Sequence, residues 1–307
     1  MNGAEIDVDK FTESNHPALH YQYMLADHVR MARYREAIDR VVRPGDVVAD
    51  LGTGLGVLAL MAARAGAKRV YGIDNRPRAL WVAEHVRKAN PGGERVQLVE
   101  GDARELELDL DEPVSVIVNE LIGDFGTDEN IYECVAGFAR RHLAPDGRIV
   151  PERLTTFLVP VEYHDEFRGV WRDGFHGLDL RPAIDFPCQP QAVMYGIRHL
   201  PKELACAQVV EDIHFGADMG ERNHTIDLVF EVSTPGTLQG FVGYFDSTLV
   251  DGIGINNYPC YPSCHWDNWN WPVSPPLLVE PGQRLEARLN ALPNMIAAGW
   301  TMEWKLV

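Results

Sequence analysis

The chain has 307 residues, 46% of them apolar and 24% charged, the composition of a soluble globular protein with room for one large or two modest domains. Its net charge of -17 argues against a nucleic-acid binder and suits a cationic substrate or partner. Cys134, Cys188, Cys206, Cys260 and Cys264 form no CxxC pair, which fits a reducing, cytoplasmic setting and no zinc site. The polar, acidic start is no signal peptide, and no apolar run approaches the ~20 residues of a membrane span.

Residues 1–20 are polar and weakly patterned. From about Tyr21 to Val42, Met24, Val29, Tyr34 and Ile38 recur at helical spacing and predict an amphipathic helix. Pro44-Gly45-Asp46 marks a turn before the apolar strand Val47–Leu51. Gly52-Thr53-Gly54-Leu55-Gly56 follows, then a helical run from Val57 to Ala65 and a second strand from Arg69 to Ile73, ending at Asp74. Strand, glycine turn and helix together bring main-chain N–H groups and a positive helix end against a bound cofactor. An acid at the end of the second strand is placed for the ribose hydroxyls of an adenosine. The GxGxG spacing differs from the GxGxxG of dinucleotide sites and disfavours a nicotinamide cofactor.

A helix over Pro77–Lys88 and a short strand over Val96–Val99 lead to Glu100-Gly101-Asp102-Ala103. Val114–Val118 reads as a buried parallel strand. Asn119 and Glu120 stand where it ends, and a loop containing Gly123 and Gly126 leads to Glu129, which opens the next helical pattern. Ligands bind at the carboxyl ends of strands in open α/β sheets, so two glutamates there can converge on one cationic group. After Glu152 the pattern changes to strand-like alternation, seen in 155–161, 225–232, 285–292 and 300–307, and predicts a mostly antiparallel β domain. The stretch around 166–200 alternates less.

The GxGxG turn, two residues after Asp50, resembles the first motif of class I S-adenosylmethionine-dependent methyltransferases, in which a Gly-Asp-Ala at a strand end commonly meets the adenine edge. With Glu120 and Glu129 nine apart, the chain resembles the protein arginine N-methyltransferase family. Met24-Leu25-Ala26-Asp27-His28-Val29-Arg30 with Tyr34-Arg35 looks like that family's cofactor-covering helix. Leu143 to Pro151 looks like its crossing into a β-barrel, and Ser263-Cys264-His265-Trp266 stands where the family has Thr-His-Trp. These matches run in the family's order from about residue 11 to 266. The loop Glu120-Leu121-Ile122-Gly123-Asp124-Phe125 resembles the symmetric-dimethylating subclass more than the asymmetric one, which usually has Trp after the first glutamate.

The resemblance implies a cofactor-covering helical segment over 1–44, a Rossmann-like S-adenosylmethionine-binding domain over 45–151, and a β-barrel substrate domain over 152–307. It implies a dimerisation arm at about 166–200, and hence a homodimer. Arg30 would bind the methionine carboxylate, with His20 and Met24 near that end of the cofactor. Gly52 and Gly54 would admit the cofactor, Asp74 would hold the ribose, and Asp102 with Ala103 would meet the adenine. Glu120 and Glu129 would clamp the substrate guanidinium, and His265 would pair with Asp27 beside them. The chemistry is coherent: a guanidinium stays protonated, with a pKa above ~12, and two carboxylates accept hydrogen bonds from its planar fork in a fixed geometry. A proton must leave after transfer, with Glu129 or the His265–Asp27 pair to take it.

Four departures from the family pattern stand out. Phe11 alone remains of an N-terminal Tyr-Phe-Tyr motif, a residue is inserted between His20 and Met24, Arg104 stands where an acid for the adenine is common, and Cys264 replaces a threonine. The family default is arginine in a protein or peptide; the altered lid keeps free L-arginine or a small guanidino metabolite open. A methyltransferase-like scaffold that binds a partner without catalysis is the alternative from another class.

Overall fold

The computed structural model describes residues 18–165, 175–184, 189–216, 218–259, 265–291 and 297–307. Phe11 and Cys264, the side chain of His20, and much of the expected arm lie outside these residues.

Five strands form a parallel sheet: β1 (Val47–Leu51), β2 (Arg69–Asp74), β3 (Val96–Glu100), β4 (Val114–Asn119) and β5 (Leu143–Val150), in the order β3-β2-β1-β4-β5. β1 is buried at all five positions because helices cover the sheet on both faces. Among the described residues five helices accompany it: α1 (Leu19–Ala26), α2 (His28–Val41), α3 (Val57–Ala65), α4 (Pro77–Lys88) and α5 (Ile131–His142). Local chemistry accounts for their ends. Gly66, at φ +116°, stops α3 with its N–H on Ala62 and Ala63, and Pro77 opens α4 where a missing N–H costs nothing. The expected single helix from Tyr21 to Val42 is two helices, because Asp27 leaves helical geometry (φ −72°, ψ 83°) and caps α2 through its carboxylate.

Strand order reverses between β1 and β4: the chain runs outward from β1 to β3, then returns to β4 and β5. Leu51 pairs in register with Asn119, so the turn at Gly52 and the loop at Glu120 emerge side by side. Asp74 and Glu100, also in register, end β2 and β3 at the same edge. Sheet topology thus brings four separated motifs to one crevice.

Between Val150 and Arg153 the chain leaves this sheet for an antiparallel domain. Seven strands make up its larger sheet: β6 (Arg153–Glu162), β7 (Val193–Tyr195), β8 (Lys202–Glu203), β9 (Gln208–His214), β11 (Gly236–Val250), β12 (Ile253–Asn256) and β13 (Asn268–Val279). β10 (Thr225–Glu231), β14 (Arg284–Asn290) and β15 (Thr301–Leu306) form a second sheet. Bridges at Ala205–Val232 and Gln191–Thr301 join the two. Their shared core includes Phe230, Phe241, Trp269, Trp271 and Trp300, and it also takes in Phe125 from the loop between the two glutamates. That loop is therefore packed into the β domain although its ends belong to the α/β sheet.

Candidate active site

The crevice at the carboxyl ends of β1 to β4 has two compartments. One, of about 320 Å³, is lined by Asp74, Asp102, Ala103, Arg104 and Cys134; the other, of about 140 Å³, by Tyr21, Met24, Arg30, Gly54 and Glu120. Gly52, Arg76, Leu121 and Glu129 line both, so this is one cleft divided by side chains. A larger concavity of about 580 Å³ lies against β10, β14 and β15, but Asp227 pairs there with Arg288 and Lys305 with Glu286, leaving a surface of mutually neutralised charges.

The glycine turn is held open from below. Asp50, buried in β1, accepts from Thr53 Oγ1 (2.6 Å) and from the N–H of Ala59 in α3 (2.9 Å), and burial pushes its carboxyl up to about 7. Gly52 and Gly54 sit at φ +71° and +52°, which L side chains rarely adopt. A Cβ on Gly52 would lie 2.5 Å from Leu121, and one on Gly54 would lie 2.7 Å from the Tyr21 ring. Asp74 is buried and accepts from the Gly54 N–H (2.9 Å) and from the Arg76 guanidinium (3.1 Å). The Arg76 guanidinium in turn lies 5.4 Å from the Tyr21 ring centroid. Asp102 and Ala103 line the larger compartment as expected; Arg104 bonds both Asp102 oxygens and holds that carboxyl below its usual range.

Glu120 and Glu129 converge, as the spacing predicts, but in different states. Glu120 is largely buried: Arg30 Nη1 donates to its Oε2 at 3.1 Å, and its Oε1 is enclosed without a hydrogen-bond partner. Burial raises its pKa, with Arg30 opposing. Glu129 is open to solvent at the mouth of the cleft, yet protein crowds its carboxyl and Asp128, Glu120 and Asp124 stand near it. Burial and their repulsion push it up to about 8. Water still reaches this group, so it remains able to exchange protons.

Arg30 is 2% exposed and is engaged on three sides. Nη2 donates to Met24 O (2.6 Å), Nη1 to Glu120, and the guanidinium lies 4.7 Å from the Trp266 ring centroid. Its Nε is buried and has no acceptor, a donor available to a ligand carboxylate. Asp27 and His265 do meet, but the bond that joins them runs from the His265 main-chain N–H to Asp27 Oδ2 (2.9 Å), while Asp27 Oδ1 takes the Arg30 N–H (3.0 Å). With both oxygens on main-chain donors, Asp27 acts as a joint between α2 and the β domain.

Sequence reasoning did not single out Tyr21, Arg76 or Trp266 as part of the cleft. Trp266 reads as β-domain core, yet its ring covers Arg30 and its Nε1 donates to Ile122 O (2.8 Å). Arg76, two residues after the ribose acid, was the most accessible of these signals.

Comparison with known proteins gives four matches in the same direction. Residues 33–136, from α2 into α5, match the family model "Ribosomal protein L11 methyltransferase (PrmA)". The chain is 30% identical over 300 residues to "Probable histone-arginine methyltransferase CARM1" of Oryza sativa subsp. indica, spanning 90% of this chain and 55% of that protein. It is 35% identical over 177 residues to "Protein arginine N-methyltransferase 1" of Schizosaccharomyces pombe, 56% of this chain and 51% of that one. The chain thus spans about half the length of these relatives. The structure titled "Trypanosoma brucei PRMT1 enzyme-prozyme heterotetrameric complex with AdoHcy" superposes with a TM-score of 0.75 at 20% identity, covering 96% of this chain and 94% of that one, a likeness of fold.

Proposed function

The chain belongs to the protein arginine N-methyltransferase family, and from that premise we propose that it transfers a methyl group from S-adenosylmethionine to a guanidinium nitrogen of arginine. The observation that carries the reading is the meeting of Glu120 and Glu129 in a cleft they share with the glycine turn. The cleft fits the cofactor by its own chemistry: the turn at Gly52 and Gly54 lacks side chains, the buried Arg30 Nε lacks an acceptor, and the Asp74 carboxylate lines the larger compartment. Arg30 would hold the methionine carboxylate, Asp74 the ribose, and Asp102 with Ala103 the adenine. When bound, S-adenosylmethionine supplies an electrophilic methyl group on a sulfonium.

Glu120 offers its unpartnered Oε1 to one guanidinium N–H, and Glu129 offers a second carboxylate from the other side of the cleft. Two acceptors fix the plane of the fork, and positioning of this kind supplies much of the rate of an in-line displacement. Glu129 must ionise to pair with the cation as a full carboxylate, because its carboxyl is raised to about 8 in the free protein. The arriving cation favours that ionisation, and the same basicity lets Glu129 take up the proton that the methylated guanidinium releases.

The substrate is proposed as arginine within a protein or peptide, with free L-arginine as the competing case. Mass spectrometry after incubation with labelled S-adenosylmethionine, using an arginine-rich peptide and free L-arginine in parallel, separates them. Peptide labelling supports the proposal, and labelling of free arginine alone replaces it with a small-molecule activity. If neither is labelled while S-adenosylhomocysteine binds, arginine transfer is wrong.

A further inference from the structure

Glu129 has no hydrogen-bond partner for its carboxylate among the described residues, so its place over the cleft depends on the chain to either side. That chain is gripped from the β domain by Arg222, which lies between β9 and β10 and is 6% exposed. Arg222 Nη2 donates to Thr127 Oγ1 (2.5 Å) and to Glu211 Oε2 (2.9 Å), Nε donates to Glu211 Oε1 (2.5 Å), and Nη1 donates to Glu133 Oε1 (3.3 Å). The Thr127 hydroxyl donates in turn to Glu211 Oε2, closing a triangle of Arg222 with two buried groups. Glu211 is itself fixed, its N–H donating to Thr156 Oγ1 (3.1 Å) across β9 and β6.

Thr127 lies two residues before Glu129, and Glu133 lies in the first turn of α5 just after it. One guanidinium thus holds both flanks of the second glutamate. None of these groups lines the cleft. We propose that Arg222, acting through Thr127 and Glu133, is a positioning residue that sets Glu129 for the substrate guanidinium, an inference that rests on the methyl-transfer reading above. The two glutamates then have separate supports: Glu120 is set by Arg30 from the α/β side, Glu129 by Arg222 from the β side.

Thr127→Val is the clean test, because it removes one hydroxyl at nearly constant volume and leaves the Arg222–Glu211 ion pair. In T127V, KM for the methyl acceptor rises about tenfold or more, since small displacements of a positioning group carry large rate effects. Amide hydrogen exchange over residues 124–130 of the full chain quickens by about tenfold as the segment opens locally. S-adenosylhomocysteine affinity, by calorimetry, stays at the wild-type value, and T127S restores both KM and exchange. R222Q moves the same readouts further in the same direction. Wild-type exchange over 124–130 in both T127V and R222Q would overturn the proposal, as would an unchanged acceptor KM in T127V. A wild-type protein that methylates neither peptide nor free arginine defeats the methyl-transfer reading alone; the exchange measurement still decides whether Arg222 holds the Glu129 segment.

Discussion

On the α/β side of the cleft, Glu120 is held by Arg30, which is itself wedged between the Met24 carbonyl and the Trp266 ring. On the β side, Glu129 has no such partner, and the protein fixes its backbone instead: Phe125 enters the β-domain core, Asp128 accepts from Trp269 Nε1 (2.8 Å), and Asp124 Oδ1 accepts from the Asp267 N–H (2.8 Å). One carboxylate therefore faces a fixed neighbouring cation that opposes the effect of its burial. The other is kept in place among Asp128, Glu120 and Asp124, with Arg76 the cation that opposes them.

The largest effects should come from the carboxylates themselves. Glu129→Gln and Glu120→Gln each lower kcat/KM for the methyl acceptor by about 10²–10³-fold, the scale of removing one preorganised polar group from a transition state. Only E120Q also destabilises the fold, because it leaves Arg30 buried beside a neutral amide. Equal thermal stabilities for the two variants would erase the distinction between the two sides.

Arg30→Met strikes the α/β side. Breaking a buried ion pair from one partner costs about 3 kcal/mol, visible as a lower denaturation midpoint, and S-adenosylhomocysteine affinity falls with it. A variant with wild-type stability and affinity would show that Arg30 holds neither Glu120 nor the cofactor.

Gly54→Ala is smaller. Forcing a Cβ into φ +52° costs about 1–2 kcal/mol, and the new methyl meets Tyr21. Calorimetry should show weaker S-adenosylhomocysteine binding while the acceptor KM changes less; the reverse pattern would misassign this wall of the cleft.

The subtlest prediction is protonic. Glu129 is raised to about 8 in the folded protein, above the usual ~4.3 of a glutamate. Between those values the folded state keeps a proton that the unfolded chain has lost, so this group's contribution makes the ligand-free protein less stable as pH rises through the window. A bound guanidinium favours the ionised form, so acceptor binding at pH 7 releases a proton and tightens as pH rises towards 8. Calorimetry in buffers of different ionisation enthalpy measures the release, which should vanish in E129Q. Binding that ignores pH between 6 and 9 would mean that Glu129 is already ionised in the free protein.

How much of this was written in the chain depends on the range of the interaction. Residues Val57–Ala65 and Pro77–Lys88 are helices within the limits their periodicity and end residues predict, because caps, glycine stops and proline starts act within a turn. The parallel strands and β6, β10, β14 and β15 were legible from apolar runs and alternation for the same reason, whereas β7, β8, β9, β11, β12 and β13 were not, and the positions of Gly52, Gly54, Asp74, Glu120 and Glu129 followed once the parallel strands ended where they do. The break at Asp27 was not legible, since the second bond to its carboxylate comes from a main-chain N–H 238 residues away. Tyr21 on Gly54, Trp266 on Arg30 and Arg222 on Thr127 have no sequence period to announce them; each joins segments that meet only when the β domain or α1 docks on the sheet. Which carboxylates reach the cleft could be read along the chain, because the end of a strand is marked by its own local pattern. How each is charged and held could not, because desolvation, ion pairing and packing depend on neighbours brought from the other half of the chain.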